Sequence, residues 1–249
     1  MVTTGRAEVP QLMRMASHPL RWALLTELAV GDRRVRELAT AVDEPQNLVS
    51  YHLRLLRAAG LVAARRSSFD GRDSYYHLDL ERCAGAFAEA ATALHPALGT
   101  PPVSDRKPPA RSVLFLCTGN SARSPMAEAL LRERGQGRVR VASAGSHPKP
   151  VLHPDAVRIM RDEYGIDLRG SRPQALAVVA RRRFDRVITL CDKVREYAAA
   201  QNLPTAMHWS LPDPAADGGG PREFRQLAGE LDSRIGFLLP ALAASPDGP

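Results

Sequence analysis

The apolar positions of this chain change their spacing near its middle. In residues 19–30, Leu20, Ala23, Leu24 and Leu28 fall roughly on one stripe at helical spacing. That predicts an amphipathic helix, ended by Gly31-Asp32. A shorter helix is expected at 35–42, with Leu38 and Ala39 inward, followed by a turn at Asp43-Glu44-Pro45. Residues 46–59 repeat the pattern through Val49, Leu53 and Leu56. Gly60 is a natural terminator, because glycine readily takes the left-handed conformation of a helix end. Residues 61–66 alternate weakly, Asp70-Gly71 suits a hairpin turn, and 73–78 form the return strand. Residues 80–94, rich in Ala, are helical again.

Beyond residue 110 short dense apolar runs take over, at 111–116, 138–142, 184–190 and 205–209. Helical stretches at 126–134, 153–164 and 223–239 alternate with them, which predicts a parallel α/β sheet. The stretch 98–109 holds four prolines and a glycine, the composition of a semi-rigid exposed linker. The expected organisation is a mainly α domain at 1–98, a Pro-rich linker at 99–110, and an α/β domain at 111–249.

The length of 249 residues fits two such domains, and 44% apolar with 24% charged residues is a globular mixture. No apolar run approaches the ~18 residues of a membrane span. The first eight residues lack the hydrophobic stretch of a signal peptide, so a cytoplasmic protein without membrane partners is expected. Three scattered cysteines rule out a disulfide scaffold, and in a reducing compartment a free thiol can be a reagent. The net charge of +7 sits mostly after residue 107, so nucleic-acid binding by the first half must come from local placement. Lys107, Lys149 and Lys193 are the only lysines among 34 basic residues.

Two short helices, a tight turn and a two-stranded ribbon describe a winged helix-turn-helix, whose second helix enters the major groove. The candidate DNA face carries Gln46, Asn47, Ser50, His52 and Arg54, with Arg65, Arg66 and Arg72 on the wing. These side chains hydrogen-bond to bases and phosphates. The run from Val49-Ser50-Tyr51-His52-Leu53 to Ala59-Gly60-Leu61-Val62, continued by Gly71-Arg72-Asp73-Ser74-Tyr75-Tyr76-His77-Leu78, resembles the ArsR/SmtB repressors. The resemblance implies a homodimer formed through this domain and bound to double-stranded operator DNA. Many arsenic-sensing relatives carry Cys-x-Cys near the recognition helix, where this chain has Asp43-Glu44-Pro45-Gln46-Asn47. Cys83 is the single thiol of the domain and a weak candidate for metal or metalloid; packing is its simpler role.

The sharpest chemical signal follows the first α/β strand. Cys117-Thr118-Gly119-Asn120-Ser121-Ala122-Arg123-Ser124-Pro125 lies where a strand ends and a helix starts. Loop amides there turn inward and form an anion site. Gly119 would permit the tight turn, Asn120 brace it, and Arg123 clamp a tetrahedral oxyanion. Loop amides, helix dipole and Arg123 should lower the pKa of Cys117. Gly119, Asn120, Ser121, Ala122, Arg123 and Ser124 are therefore the expected oxyanion-binding residues.

Residues 111–240 resemble the low-molecular-weight tyrosine phosphatase fold, three layers around a four-stranded parallel sheet, and within it the arsenate reductases. Beyond the loop, the resemblance rests on Ser143-Ala144-Gly145, Gly165-Ile166-Asp167, Ile188-Thr189-Leu190-Cys191 and His208-Trp209 with Asp213-Pro214-Ala215. Ala215-Ala216-Asp217-Gly218-Gly219 offers none of the tyrosines that phosphatases present after Asp-Pro, which favours a small inorganic anion, arsenate or phosphate. The resemblance implies that Cys117 attacks arsenate, Asp213 protonates the departing oxygen and a second thiol releases arsenite. Cys191 stands at that thiol's position, whereas the third relay thiol's position is Ala198. No bound cofactor or metal is expected, only an external reductant: a redoxin, or a low-molecular-weight thiol such as mycothiol. The expected whole is an arsenate reductase fused to a regulator. The alternatives are a tyrosine or small-ester phosphatase with a regulatory DNA-binding domain, or a non-catalytic oxyanion-sensing repressor. A further possibility is constitutive DNA binding in which the first domain serves as an anchor.

Overall fold

The computed structural model describes residues 9–95, 98, 111–179, 182–203 and 207–244. The linker expected at 99–110 lies outside them. The chain divides into two compact units, one of 1–66 with 73–104 and one of 67–72 with 105–249.

The first unit contains α1 (Gln11–Ala16), α2 (Pro19–Val30), β1 (Arg33–Arg34), α3 (Val35–Val42), α4 (Gln46–Ala58), β2 (Val62–Arg66), β3 (Ser74–Leu78) and α5 (Leu80–Leu94). His18 starts α2 by accepting the Leu20 amide on Nδ1 at 3.2 Å, with Pro19 at the first helical position, where its missing N–H leaves no bond unmade. The α3–α4 turn closes on Asp43 in the left-handed region, φ 52°, a conformation Asp tolerates better than most residues. α4 ends at Gly60, φ 73°, as expected. Leu24, Leu38, Val49, Leu53 and Leu56 are fully buried between these helices, each contributing about 1.5–3 kcal/mol by leaving water.

β2 and β3 pair antiparallel from Val62↔Leu78 to Arg66↔Ser74. The expected hairpin is present, but β3 also takes β1 on its other edge, giving the order β1-β3-β2. Long-range contacts hold β1 there. Arg34 is buried and donates from Nε to the Tyr75 hydroxyl at 2.9 Å, while Asp73 lies 3.5 Å from its guanidinium.

The second unit contains β4 (Arg111–Cys117), α6 (Arg123–Arg134), β5 (Val139–Gly145), α7 (Pro154–Tyr164), α8 (Leu176–Val179), β6 (Arg186–Thr189), α9 (Asp192–Ala200), β7 (Met207–His208) and α10 (Pro221–Ala244). The four strands are parallel in the order β5-β4-β6-β7, the sheet the alternating pattern predicts. β4 is central and buried from Ser112 to Cys117, which is why it reads as a continuous apolar run. From β4 the chain goes first to one side, to β5, and then returns to the other, to β6. Such a switch opens a crevice at the carboxyl ends of the strands, where Cys117 and Cys191 lie. α6 begins three residues before the expected 126, because the anion loop passes directly into its first turn.

Candidate active site and nucleic-acid face

Cys117 ends β4 and is 2% exposed. Its Sγ lies 2.9 Å from Ser124 Oγ and accepts the Asn120 amide at 3.2 Å. Asn120 organises the loop. Its Oδ1 accepts the Gln174 amide at 2.6 Å, and its Nδ2 donates to Ser124 Oγ at 2.8 Å and Ser143 Oγ at 2.9 Å. The Ser124 oxygen thus accepts from Asn120 and keeps both a hydrogen and a second lone pair for Cys117 Sγ.

The carbonyls of Thr118, Gly119 and Ser121 accept the amides of His147, Lys149 and His153 at 2.8–2.9 Å. That orients the loop with its carbonyls toward 147–153. Among the described residues, the amides of Gly119, Ser121 and Ala122 make no hydrogen bond within the protein. Adjacent unused donors of this kind form an anion cradle. The tight turn expected at Gly119 has its left-handed residue one position on, at Asn120, φ 44°. The glycine the loop does require is Gly145 on β5, whose Cβ would stand 2.6 Å from the Thr118 carbonyl oxygen.

Arg123, 7% exposed, donates from Nη1 to the Leu211 carbonyl at 3.2 Å and from Nη2 to Asp213 Oδ2 at 3.0 Å. The Asp213 side chain is about half exposed at the rim. Cys191 is buried, caps α9 and sits with Sγ 3.3 Å from Thr118 Oγ1. The structure thus brings Cys117, Arg123, Asp213 and Cys191 around one loop. Ala198, at the third relay position, is buried on α9.

The expected lowering of the Cys117 pKa is corrected. Burial pushes the thiol up and dominates, and neighbouring Cys191 adds to it. Arg123 and the Ser124 hydrogen bond pull down without overcoming burial. Sequence reasoning counted the favourable charges and left out desolvation, the effect that penalises any charged form in a buried site. It also missed Thr118, Ser143 and Gln174 as loop partners.

In the first unit Gln46, Asn47 and Arg54 are exposed on α4, Ser50 is half-buried, and Leu48 and Tyr51 are exposed beside them. The Arg54 guanidinium lies 6.0 Å from the Tyr51 ring centroid. On the wing Arg66 and Arg72 are exposed and Arg65 half-buried, with Arg72 3.3 Å from Asp70. His52 departs from the expected DNA face. It is 5% exposed and its ring lies 4.5 Å from that of His18. It shares the inward stripe of Val49, Leu53 and Leu56. Cys83 is buried in the core with its thiol 3.7 Å from the Leu61 carbonyl, and burial, then Asp79, pushes its pKa up to about 11. It belongs to packing. No group of three or more His, Cys, Asp or Glu able to hold a metal occurs among the described residues. No helix among them is long and apolar enough to cross a membrane.

The family model of low molecular weight phosphotyrosine protein phosphatases matches residues 112–246. That of bacterial regulatory proteins of the arsR family matches residues 18–64. A glutaredoxin arsenate reductase of Synechocystis is 32% identical over 136 residues, covering 52% of this chain and 96% of its own. An arsenate reductase of Brevibacillus brevis is 34% identical over 128 residues, covering 50% and 91%. Among solved structures, a low molecular weight protein tyrosine phosphatase from T. tengcongensis is 25% identical with a TM-score of 0.47, covering 53% of this chain and 99% of its own.

Proposed function

The chain belongs to the low molecular weight phosphotyrosine protein phosphatase family, and from that membership we propose that its second unit reduces arsenate to arsenite, under the same roof as an arsR-type DNA-binding regulator. One observation carries the choice of reductase over phosphatase. A second buried thiol, Cys191, stands at the loop within 3.3 Å of Thr118 Oγ1. Ester hydrolysis has no use for a second sulfur, whereas a two-electron reduction uses one, and Cys191 can supply it from within the chain. Relatives named as arsenate reductases point the same way.

The proposed chemistry is balanced by the residues present. The loop amides and Arg123 hold three oxygens of the anion. Cys117 Sγ bonds to arsenic, and the fourth oxygen departs as water, taking the thiol proton and the proton supplied through Asp213. Cys191 Sγ then attacks Cys117 Sγ. The S–S bond forms, the S–As bond breaks, and its electron pair leaves with arsenic as arsenite, which takes up the proton lost from Cys191. An external dithiol or low-molecular-weight thiol reduces the Cys117–Cys191 disulfide.

Arsenic speciation over time tests this. Purified protein and arsenate are supplied in parallel with thioredoxin, glutaredoxin or mycothiol with mycoredoxin, and Cys117→Ser is the control. Multiple-turnover arsenite that vanishes in the variant is expected, and the reductant that sustains it identifies the relay. Aryl phosphate hydrolysis without arsenite in any reductant would replace this reading with the phosphatase.

A further inference from the structure

A buried carboxylate with no part in these steps adjoins the second thiol. Asp192 is 2% exposed and opens α9, directly after Cys191. Its Oδ1 accepts from Ser210 Oγ at 2.8 Å and lies 3.1 Å from His208 Nε2. The other ring nitrogen of His208, Nδ1, lies 2.8 Å from Thr189 Oγ1. Thr189 and His208 are opposite one another in the β6–β7 ladder, and the Trp209 amide donates to the Thr189 carbonyl at 2.8 Å. Asp192 Oδ2 accepts the Ser68 amide at 2.6 Å and the Ser68 hydroxyl at 3.1 Å, so three segments converge on one carboxylate, and two of them bear on the site. Segment 189–192 carries Cys191. Segment 208–213 carries the Leu211 carbonyl and the Asp213 carboxylate, both of which hold Arg123.

A buried charge is costly, and an apolar residue of similar volume often fills such a space with equal or greater stability. Stability alone does not account for Asp192. Burial would raise its pKa, but hydrogen bonding, that of His208 first, outweighs burial and holds the carboxyl well below the usual range.

We infer that Asp192 is a positioning residue for the second half-reaction: by gripping both segments it sets where Cys191 Sγ stands relative to Cys117 Sγ. The inference rests on the reductase reading above. Sulfur attack on sulfur needs the nucleophile in line with the breaking S–As bond, and a misplacement of ~1 Å can cost on the order of 100-fold in rate. Arsenate capture depends on the loop and Arg123, which Asp192 reaches only through its charge and through segment 208–213, so the effect on capture is expected to be smaller than on the sulfur step.

The full chain, reduced, is mixed with arsenate in single turnover, quenched with acid and alkylated. Mass spectrometry then follows the Cys117–Cys191 disulfide at each arsenate concentration. Asp192→Ala is expected to slow the maximal rate on the order of 10- to 100-fold while leaving the half-saturating arsenate concentration nearly unchanged. Asp192→Asn, whose amide oxygen still accepts the His208 and Ser210 bonds while the bonds of Ser68 to the other oxygen are lost, is expected to regain part of the rate. Ser210→Ala removes one bond without disturbing the buried pair, and a several-fold loss is expected from it; it carries the test if Asp192→Ala does not fold. A wild-type maximal rate in these variants, or a change confined to half-saturation, overturns the inference alone. A wild-type chain that forms no disulfide with arsenate overturns the reductase reading first.

Discussion

Cys83 in the first unit and Cys117 in the second are both buried, and burial pushes both thiols up. Cys83 belongs to the apolar core of the first unit, its thiol 3.7 Å from the Leu61 carbonyl, and the charge that acts on it, Asp79, is negative. Around Cys117 stand the Ser124 hydroxyl at 2.9 Å, the Asn120 amide at 3.2 Å and the charge of Arg123. The first environment only penalises the thiolate. The second penalises it and then supplies donors to it and to whatever anion approaches it. Reactivity therefore comes from the donors that accompany burial, and the same residue type serves as filler in one unit and as a candidate nucleophile in the other.

The sharpest way to break that comparison is to exchange each sulfur for oxygen. Cys117→Ser is expected to cut arsenite production at least about 1,000-fold, while Cys83→Ser leaves turnover within about twofold and costs ~1 kcal/mol of stability in a urea melt. Equal losses of turnover in both would mean that the contrast is false. Next is Arg123→Lys, which keeps the charge and loses the planar fork. A fall in kcat/KM on the order of 100-fold is expected from steady-state kinetics. A value near wild type would show that charge alone suffices.

A smaller effect is expected on the first unit's outward face. Arg54→Ala should weaken binding to duplex DNA from the upstream region of its own reading frame by about 1 kcal/mol and reduce the salt slope by about one, read by fluorescence anisotropy. The smallest concerns His52. Burial first, then His18 and Arg21, lowers its pKa below the ordinary 6.5. The unfolded chain then takes the proton before the folded one does. The His52 contribution to stability is complete above about pH 6.5 and declines as pH falls below it. His52→Gln should flatten that slope in melts taken between pH 5 and 7.5; a slope that survives the substitution belongs to another group.

The elements that showed in the sequence are those whose own residues carry the pattern. α2, α3, α4 and α5 each present an apolar stripe, and β4 is a dense apolar run. β1 was invisible because Arg33-Arg34 has no alternation; its place comes from Tyr75, forty-one positions from Arg34. α9 was missed because only Val194 and Ala198 mark its inward face among polar neighbours. The anion loop was legible because Cys117 and Arg123 lie within one strand-to-helix turn. Its braces were not, since Ser143 and Gln174 meet Asn120 from 23 and 54 positions away. His52 is a different kind of miss. Val49, His52, Leu53 and Leu56 are spaced as one buried stripe, and the polarity of imidazole conceals a periodicity present in the sequence.

The saturation of Asn120 reaches beyond hydrogen bonding. Its oxygen and both amide hydrogens are taken up inside the fold, so water finds nothing there to compete for, and the loop's shape is a property of the folded chain and not of its guest. A soft loop would have to be reordered at every turnover. Here the entropy of ordering is met once, when the chain folds, and the anion we propose would find its host already assembled.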